Sequence, residues 1–146
     1  RPQEDVDALR EALADGTIDA VATDHAPHAR HDKEHAFVDA AFGMLGIETA
    51  LGVVRTALPD LSWTDVARVM SVAPARIAGL AGQGQPLAPG SPAHVVLVDP
   101  ETAVTVDRDA SASLSRNNPW HGRSLSSRVV HTVYAGRVTV RDGALA

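Results

Sequence analysis

The run Thr23-Asp24-His25-Ala26-Pro27-His28 gathers residue types that do chemistry. It closes Ile18-Asp19-Ala20-Val21-Ala22-Thr23, a short and mostly apolar stretch of the kind expected for a buried parallel strand. An ionisable residue just past the carboxyl end of such a strand lies where α/β folds bind their ligands. Asp24 could there ligate a metal, act as a general base, or do both. As a bare strand-end carboxylate it could also be a loop or helix cap. His28 could bind an anionic group or ligate a metal, or be a surface histidine of a polar loop. His25 reads as structural or as support for its neighbours. His31 and His35 have the i, i+4 spacing of a helical zinc pair, but no third ligand accompanies them. Among Arg30, Asp32, Lys33 and Glu34 they read as solvated. His94 and His131 fall in predicted strands and read as packing or surface residues.

The elements that must position these groups follow from local pattern. Val6, Leu9 and Leu13 recur at helical spacing over residues 4–15, acidic residues load the first turn, and Gly16 is placed to stop the helix. A strand over 18–23 and a long polar loop from His25 to about Asp39 come next; loops of that length tend to carry function or be disordered. Met44, Ile47, Leu51, Val54 and Leu58 predict an amphipathic helix ended by Pro59. Ser62 and Asp65 resemble a capping box ahead of the stripe Val66, Val69, Met70, and Pro74 is placed to open one more short helix ending near Gly79. Residues 81–92 are rich in Gly and Pro and lack periodicity, which marks a boundary after Leu80. Beyond it, 95–98 reads as a strand and 128–134 with 137–140 as a hairpin turning at Ala135-Gly136, with Asp142-Gly143 turning the chain again. Arg116-Asn117-Asn118-Pro119-Trp120 reads as a tethering turn with one aromatic anchor.

Composition bounds the rest. The 146 residues, 45% hydrophobic and 21% charged, suit a globular chain with a core. They are too few for a complete (β/α)8 barrel of about 250 residues. The net charge of −5 argues against a nucleic-acid partner. No apolar run reaches membrane-spanning length, so no membrane partner is expected. With no cysteine there is neither a disulfide framework nor a thiolate metal site. A start at Arg1-Pro2-Gln3, without Met or a signal peptide, reads like the middle of a longer protein.

The stretch from Asp15 to His28 resembles the last-barrel-strand motif of the bacterial dihydroorotases, in the amidohydrolase superfamily. The likeness continues through Phe42-Gly43-Met44-Leu45-Gly46-Ile47-Glu48-Thr49-Ala50-Leu51, Pro92 to Asp99, Ser115 to Trp120 and Arg128 to Val133. The resemblance implies an α/β fold: the C-terminal portion of a (β/α)8 amidohydrolase barrel followed by strands of a small β-sandwich domain. Residues 1–80 would hold the last barrel strand and trailing helices, and 81–146 the C-terminal part of the β-domain. Asp24 matches the aspartate that ligates the catalytic metal and shuttles the proton. His28 matches the histidine that contacts the substrate carboxylate. The backbone near Ala41, Phe42 and Gly43 matches the stretch that binds the pyrimidine ring; many members have Pro where this chain has Ala41.

The implied cofactor is zinc, one or two ions, with most ligands outside this chain, since of the family's ligand set only the final Asp is present. The implied reaction is the reversible cyclisation of N-carbamoyl-L-aspartate to dihydroorotate in pyrimidine (UMP) biosynthesis, in the cytoplasm. The chain alone would be inactive. Implied partners are the missing N-terminal part of the same protein, further copies in a homo-oligomer, and aspartate transcarbamoylase. Two alternatives stand beside this. One is another cyclic amidase, a hydantoinase or allantoinase, whose motif keeps the Asp but usually varies the residues after it. The other is a non-catalytic dihydroorotase-like scaffold subunit of aspartate transcarbamoylase, against which Asp24 and His28 argue.

Overall fold

The computed structural model describes residues 2–146. Its contacts divide the chain into two units. The first runs to Ala22 and resumes over Leu58–Asp99 and Val129–Ala146; the second holds Thr23–Ala57 and Pro100–Arg128.

In the first unit, α1 (Gln3–Asp15) forms as its periodicity requires and ends on Gly16, whose φ of 88° takes the left-handed conformation that glycine enters without strain. Only Leu13 of its apolar stripe is buried, while Leu9 stays exposed. The Leu13 carbonyl, left without a partner in its own helix, accepts from Arg68 Nη2 at 3.1 Å.

The helix after Ser62 is capped as its sequence suggests. Ser62 Oγ accepts from the Asp65 N–H at 3.1 Å and donates to Asp65 Oδ2 at 2.6 Å. Pro74 lies in the first turn of a short helical stretch that ends before Gly79, as expected, but that stretch continues the helix ahead of it. Helical backbone runs through the turn from Trp63 to Ala67, a π-type turn over Arg68–Val72, and Ala73–Ile77. Proline has no N–H to give Met70, and its ring crowds that carbonyl, so the turn before it widens and the Ala73 N–H reaches back to the Arg68 carbonyl. Val69, on this widened turn, is completely buried and centres a core with Leu13, Leu61, Val66, Ala73 and Ala75.

The same unit carries a four-stranded sheet in the order β1 (Val95–Asp99), β4 (Arg128–Tyr134), β5 (Arg137–Arg141), β6 (Ala144–Leu145), β4 beginning one residue before the unit resumes; β2 (Val104–Thr105) and β3 (Ser124–Leu125) belong to the second unit. Both turns form where the sequence indicates. Ala135 and Gly136 take φ of 48° and 79°, Asp142 and Gly143 take 52° and 83°, and two consecutive positive φ values are the geometry that matches the twist of a two-residue hairpin.

The stretch over 18–23 departs from expectation: it forms no regular strand. Val21 donates its N–H to the Val69 carbonyl at 3.0 Å, and past its end His25 makes one parallel bridge to Met44. A strand is defined by its neighbours, and among the described residues none runs alongside.

In the second unit, α2 (Arg30–Lys33) is a single turn within the polar loop. The helix expected from Met44 starts later, as a 3-10 turn over Ile47–Thr49 leading into α3 (Ala50–Ala57) and stopping short of Pro59. Met44 is held in the bridge to His25, and the Gly46 backbone at φ −136° is not helical. Val54 of α3 is buried, and Gly52 lies so near β3 (Ser124–Leu125) that a Cβ there would stand 2.9 Å from the Leu125 Cβ. β3 pairs antiparallel with β2 (Val104–Thr105).

Candidate functional site

Asp24 is exposed and has φ 45°, a left-handed conformation that costs most non-glycine residues about 1–2 kcal/mol. Among the described residues its carboxylate receives no hydrogen bond and makes no ion pair. A loop or helix cap would show a bond from a nearby N–H, so the capping alternative is not what the geometry supports. The backbone is held in an uncommon conformation and the side chain is left with its acceptor capacity free.

The next residue explains how the turn is held. His25 Nδ1 accepts from the Gly46 N–H at 3.1 Å and the Ile47 N–H at 3.3 Å, satisfying orphan donors at the start of the 3-10 turn. The Ala26 N–H adds a bond to the Met44 carbonyl at 2.9 Å. Residues 24–28 and 43–47 are thereby fastened side by side.

His28 is half-buried, and its ring lies against Gly43. A Cβ at position 43 would stand 2.8 Å from His28 Nε2 and 2.6 Å from the Ala26 Cβ, and Gly43 has φ 123°, so only glycine fits. The His28 ring makes no hydrogen bond among the described residues. By contrast His25, His94, His121 and His131 each spend Nδ1 on a backbone N–H: of Gly46 and Ile47, of Ala135, of Arg108 and of Asp142 respectively. His94 also packs on Tyr134, ring centroids 4.9 Å apart, just ahead of β1. His31 is exposed and stands 3.4 Å from the Asp32 carboxylate. His28 thus combines partial burial with an unspent ring.

The Ala41–Gly43 stretch is shaped by Lys33, whose Nζ donates to the Ala41 carbonyl at 2.7 Å and the Gly43 carbonyl at 3.2 Å. Ala41 also donates its N–H to the Asp32 carbonyl. The Phe42 side chain is 95% exposed. The N–H groups of Phe42 and Gly43 donate to no acceptor among the described residues, so two successive backbone donors are unspent, at and next to the glycine on which the His28 ring lies.

A residue that sequence reasoning passed over completes the arrangement. Asn117, in the stretch read as a tether, sends Nδ2 to the carbonyls of Ala26 (2.9 Å) and Gly43 (3.3 Å). Its Oδ1 accepts from the His28 N–H at 3.5 Å, and its own carbonyl accepts from the Leu45 N–H. Nearby, Glu48 accepts from Ser111 Oγ (2.6 Å) and from the N–H groups of Ala112 and Ser113. Partial burial works to raise the Glu48 pKa, but these three bonds outweigh it and hold the carboxyl below its ordinary value. The only sequence signal for Asn117 was an Asn two residues before a proline, which marks a turn and says nothing of what the side chain reaches.

The site thus joins His28, Ala41, Phe42 and Gly43 in one corner, with Asp24 one residue before the His25 bridge. No group of three or more His, Cys, Asp or Glu among the described residues could hold a metal ion by itself. A free, exposed carboxylate such as Asp24 fits one position of a metal's ligand set, with the others supplied from elsewhere.

Comparison with known proteins places this geometry in context. The family model described as "Amidohydrolase family" matches residues 1–139. A curated dihydroorotase of Streptomyces coelicolor is 51% identical over 148 residues, covering 99% of this chain and 35% of that protein. A dihydroorotase of Mycobacterium tuberculosis is 51% identical over 146 residues, covering 98% and 34%. Among solved structures, a D-hydantoinase (dihydropyrimidinase) from Thermus sp. superposes with a TM-score of 0.81 at 27% identity, covering 96% of this chain and 32% of that one. The chain spans about a third of the length of the curated relatives it matches.

Proposed function

This chain belongs to the amidohydrolase family, and from that premise we propose that it is the part of a dihydroorotase that carries the proton-shuttling aspartate and one wall of the substrate pocket. The observation that carries the reading is the corner at His28: an unspent imidazole, fixed against Gly43, beside the open N–H groups of Phe42 and Gly43. Dihydroorotate offers a ring carboxylate for the first and ring amide oxygens for the second.

In the hydrolytic direction water adds to the ring amide carbon and the C–N bond breaks, giving N-carbamoyl-L-aspartate. Asp24 takes the proton from the attacking water and delivers it to the leaving nitrogen; ring closure runs the same path backwards. Its unpartnered carboxylate suits that work, since no internal hydrogen bond has to be broken first. His28 holds the carboxylate, and the Ala41–Gly43 backbone holds the ring. Asp24 would also be one ligand of a divalent metal, in this reading zinc, with the remaining ligands from other parts of the whole protein. When bound, zinc would supply Lewis-acid polarisation of the amide carbonyl and lower the pKa of water.

The division of residues 1–80 and 81–146 between barrel and β-domain, a cytoplasmic location, a homo-oligomer and association with aspartate transcarbamoylase belong to this same proposal. Among the described residues no helix is long and apolar enough to cross a membrane.

The solved neighbours named hydantoinase support a second reading, a cyclic amidase for a different ring. The Ala26-Pro27-His28 run and the identity to dihydroorotases favour the first. The test uses the full-length protein with zinc, assayed on dihydroorotate, hydantoin and allantoin. Dihydroorotate should be the substrate turned over. Asp24→Asn should lower kcat by about 10²–10⁴-fold. His28→Ala should act mainly on KM, because the carboxylate is present in ground and transition states alike. Preference for hydantoin, or a normal kcat in Asp24→Asn, would overturn the reading.

A further inference from the structure

Two backbone segments make the proposed substrate corner, Ala26–His28 and Gly43–Leu45, and they are not neighbours in sequence. The bridge between His25 and Met44 joins them at one point. What fixes them beyond that point is a side chain from a third segment. Asn117 Nδ2 carries two hydrogens, and each goes to a carbonyl on a different segment, Ala26 and Gly43. Its Oδ1 faces the His28 N–H, and its main-chain carbonyl takes the Leu45 N–H at 3.0 Å. A primary carboxamide is the one side chain of this size that offers two donors and an acceptor on one planar group.

The consequence is geometric. With the Gly43 carbonyl held by Asn117 and Lys33 together, the peptide plane that carries it is fixed. The His28 backbone is tied through its N–H, which sets the point from which its ring reaches Gly43.

We propose that Asn117 is a positioning residue for substrate binding: it sets the spacing between the His28 imidazole and the Phe42–Gly43 backbone donors, and so the match to a ligand that carries a carboxylate and a ring amide together. This rests on the dihydroorotase reading of His28 and Phe42–Gly43. Asn117 touches no reacting atom in this scheme, and its loss falls on binding.

The test is steady-state kinetics on dihydroorotate with the full-length enzyme, comparing Asn117→Ala, Asn117→Leu, His28→Ala and the double variant Asn117→Ala/His28→Ala. Leu keeps the branched outline of Asn, with as many side-chain heavy atoms, and removes every polar atom, while Ala removes both shape and polarity, so the pair separates hydrogen bonding from packing. Both Asn117 variants should raise KM about tenfold, the scale of two lost neutral hydrogen bonds. Their kcat should stay within about threefold of the parent. The double variant should lie well short of the product of the single effects, since Asn117 acts through His28. Amide hydrogen exchange at His28 should quicken in both.

A KM that rises in His28→Ala but not in the Asn117 variants would overturn the proposal and leave the reading of the site standing. A KM unmoved by His28→Ala would overturn that reading and this proposal with it. A drop in kcat and melting temperature together with unchanged KM, or fully multiplicative effects, would make Asn117 merely structural.

Discussion

The hairpins at the end of the chain and the segments around His28 solve the same problem in opposite ways. Along β4, β5 and β6 the backbone satisfies itself: Thr132 pairs with Val140, Tyr134 with Arg137, and Val140 with Leu145. Side chains add to this at the edges: His131 Nδ1 takes the Asp142 N–H at a turn, and Thr139 Oγ1 donates to the Thr132 carbonyl at 3.3 Å. Around His28 there is one isolated bridge, and side chains hold the backbone: His25 on Gly46 and Ile47, Lys33 on Ala41 and Gly43, Asn117 on Ala26, His28 and Gly43. The difference has a chemical meaning. A ladder spends its inward N–H groups on its neighbour strand. A backbone clamped by side chains through its carbonyls keeps N–H groups free, and those of Phe42 and Gly43 are free.

Glycine tests this contrast most strongly, because both regions use it at positive φ. Gly136 sits at φ 79° with open space where a Cβ would go, whereas Gly43 sits at φ 123° with Ala26 and His28 already in that space. Gly136→Ala should cost about 1 kcal/mol, the price of one left-handed alanine. Gly43→Ala combines strain with overlap and should cost about 2–4 kcal/mol. It should also displace the His28 ring, so that KM for dihydroorotate in the full-length enzyme rises together with the loss of stability. Thermal melts and kinetics on the two variants decide; equal melting shifts with unchanged KM in both would break the contrast.

A core substitution sharpens it from the other side. Val69 is fully buried on the widened turn ahead of Pro74 and has no part in the clamps. Val69→Ala should destabilise by about 2 kcal/mol through lost burial and the cavity left behind. KM should stay where it was. Denaturant unfolding beside kinetics is the check, and a KM effect as large as that of Gly43→Ala would show that the site is not held by its own clamps.

What the sequence discloses follows the same line. α1 with its stop at Gly16, the Ser62 cap on Asp65 and the turns at Ala135-Gly136 and Asp142-Gly143 are set by residues within a few positions of one another. Asp24 and His28 of the proposed site stand out in the sequence because a distinctive run carries them. Asn117 does not, because its partners lie 74 to 91 residues away and nothing around it announces them. Nothing in the sequence singles out Lys33, to which the fold brings two carbonyls. The helix expected from Met44 began late for a related reason: His25, some twenty residues earlier, captures the N–H groups of Gly46 and Ile47. Over 18–23 the pattern identified apolar backbone but not its partners, since a strand's neighbours are nowhere written in the strand itself.

The smallest effect should come from Glu48, the clamp whose strength depends on charge. Its carboxylate holds Ser111, Ala112 and Ser113, a few residues before Asn117, and its pKa lies below the ordinary value because the bonds to those residues outweigh partial burial. A carboxyl whose folded pKa is depressed contributes stability that is fully present above its unfolded pKa and fades as pH falls through the folded one. The contribution should therefore be intact at neutral pH and decline below about pH 4. Glu48→Gln keeps one acceptor oxygen but turns an amide NH₂ towards a neighbouring donor. At a largely exposed position that should cost about 1 kcal/mol or less at pH 7. Melting temperatures of parent and variant from pH 7 to pH 3 should converge as Glu48 becomes protonated. Protection of the Ala112 and Ser113 amides, taken relative to intrinsic exchange at each pH, should fall over the same range in the parent alone. The pairs Thr132–Val140, Tyr134–Arg137 and Val140–Leu145 are held backbone to backbone, with the one carboxylate of the stretch, Asp142, in the turn, so exchange at the paired residues should not follow the titration of Glu48. A gap between parent and variant that persists at pH 3 would mean that shape, not charge, holds the 111–113 segment.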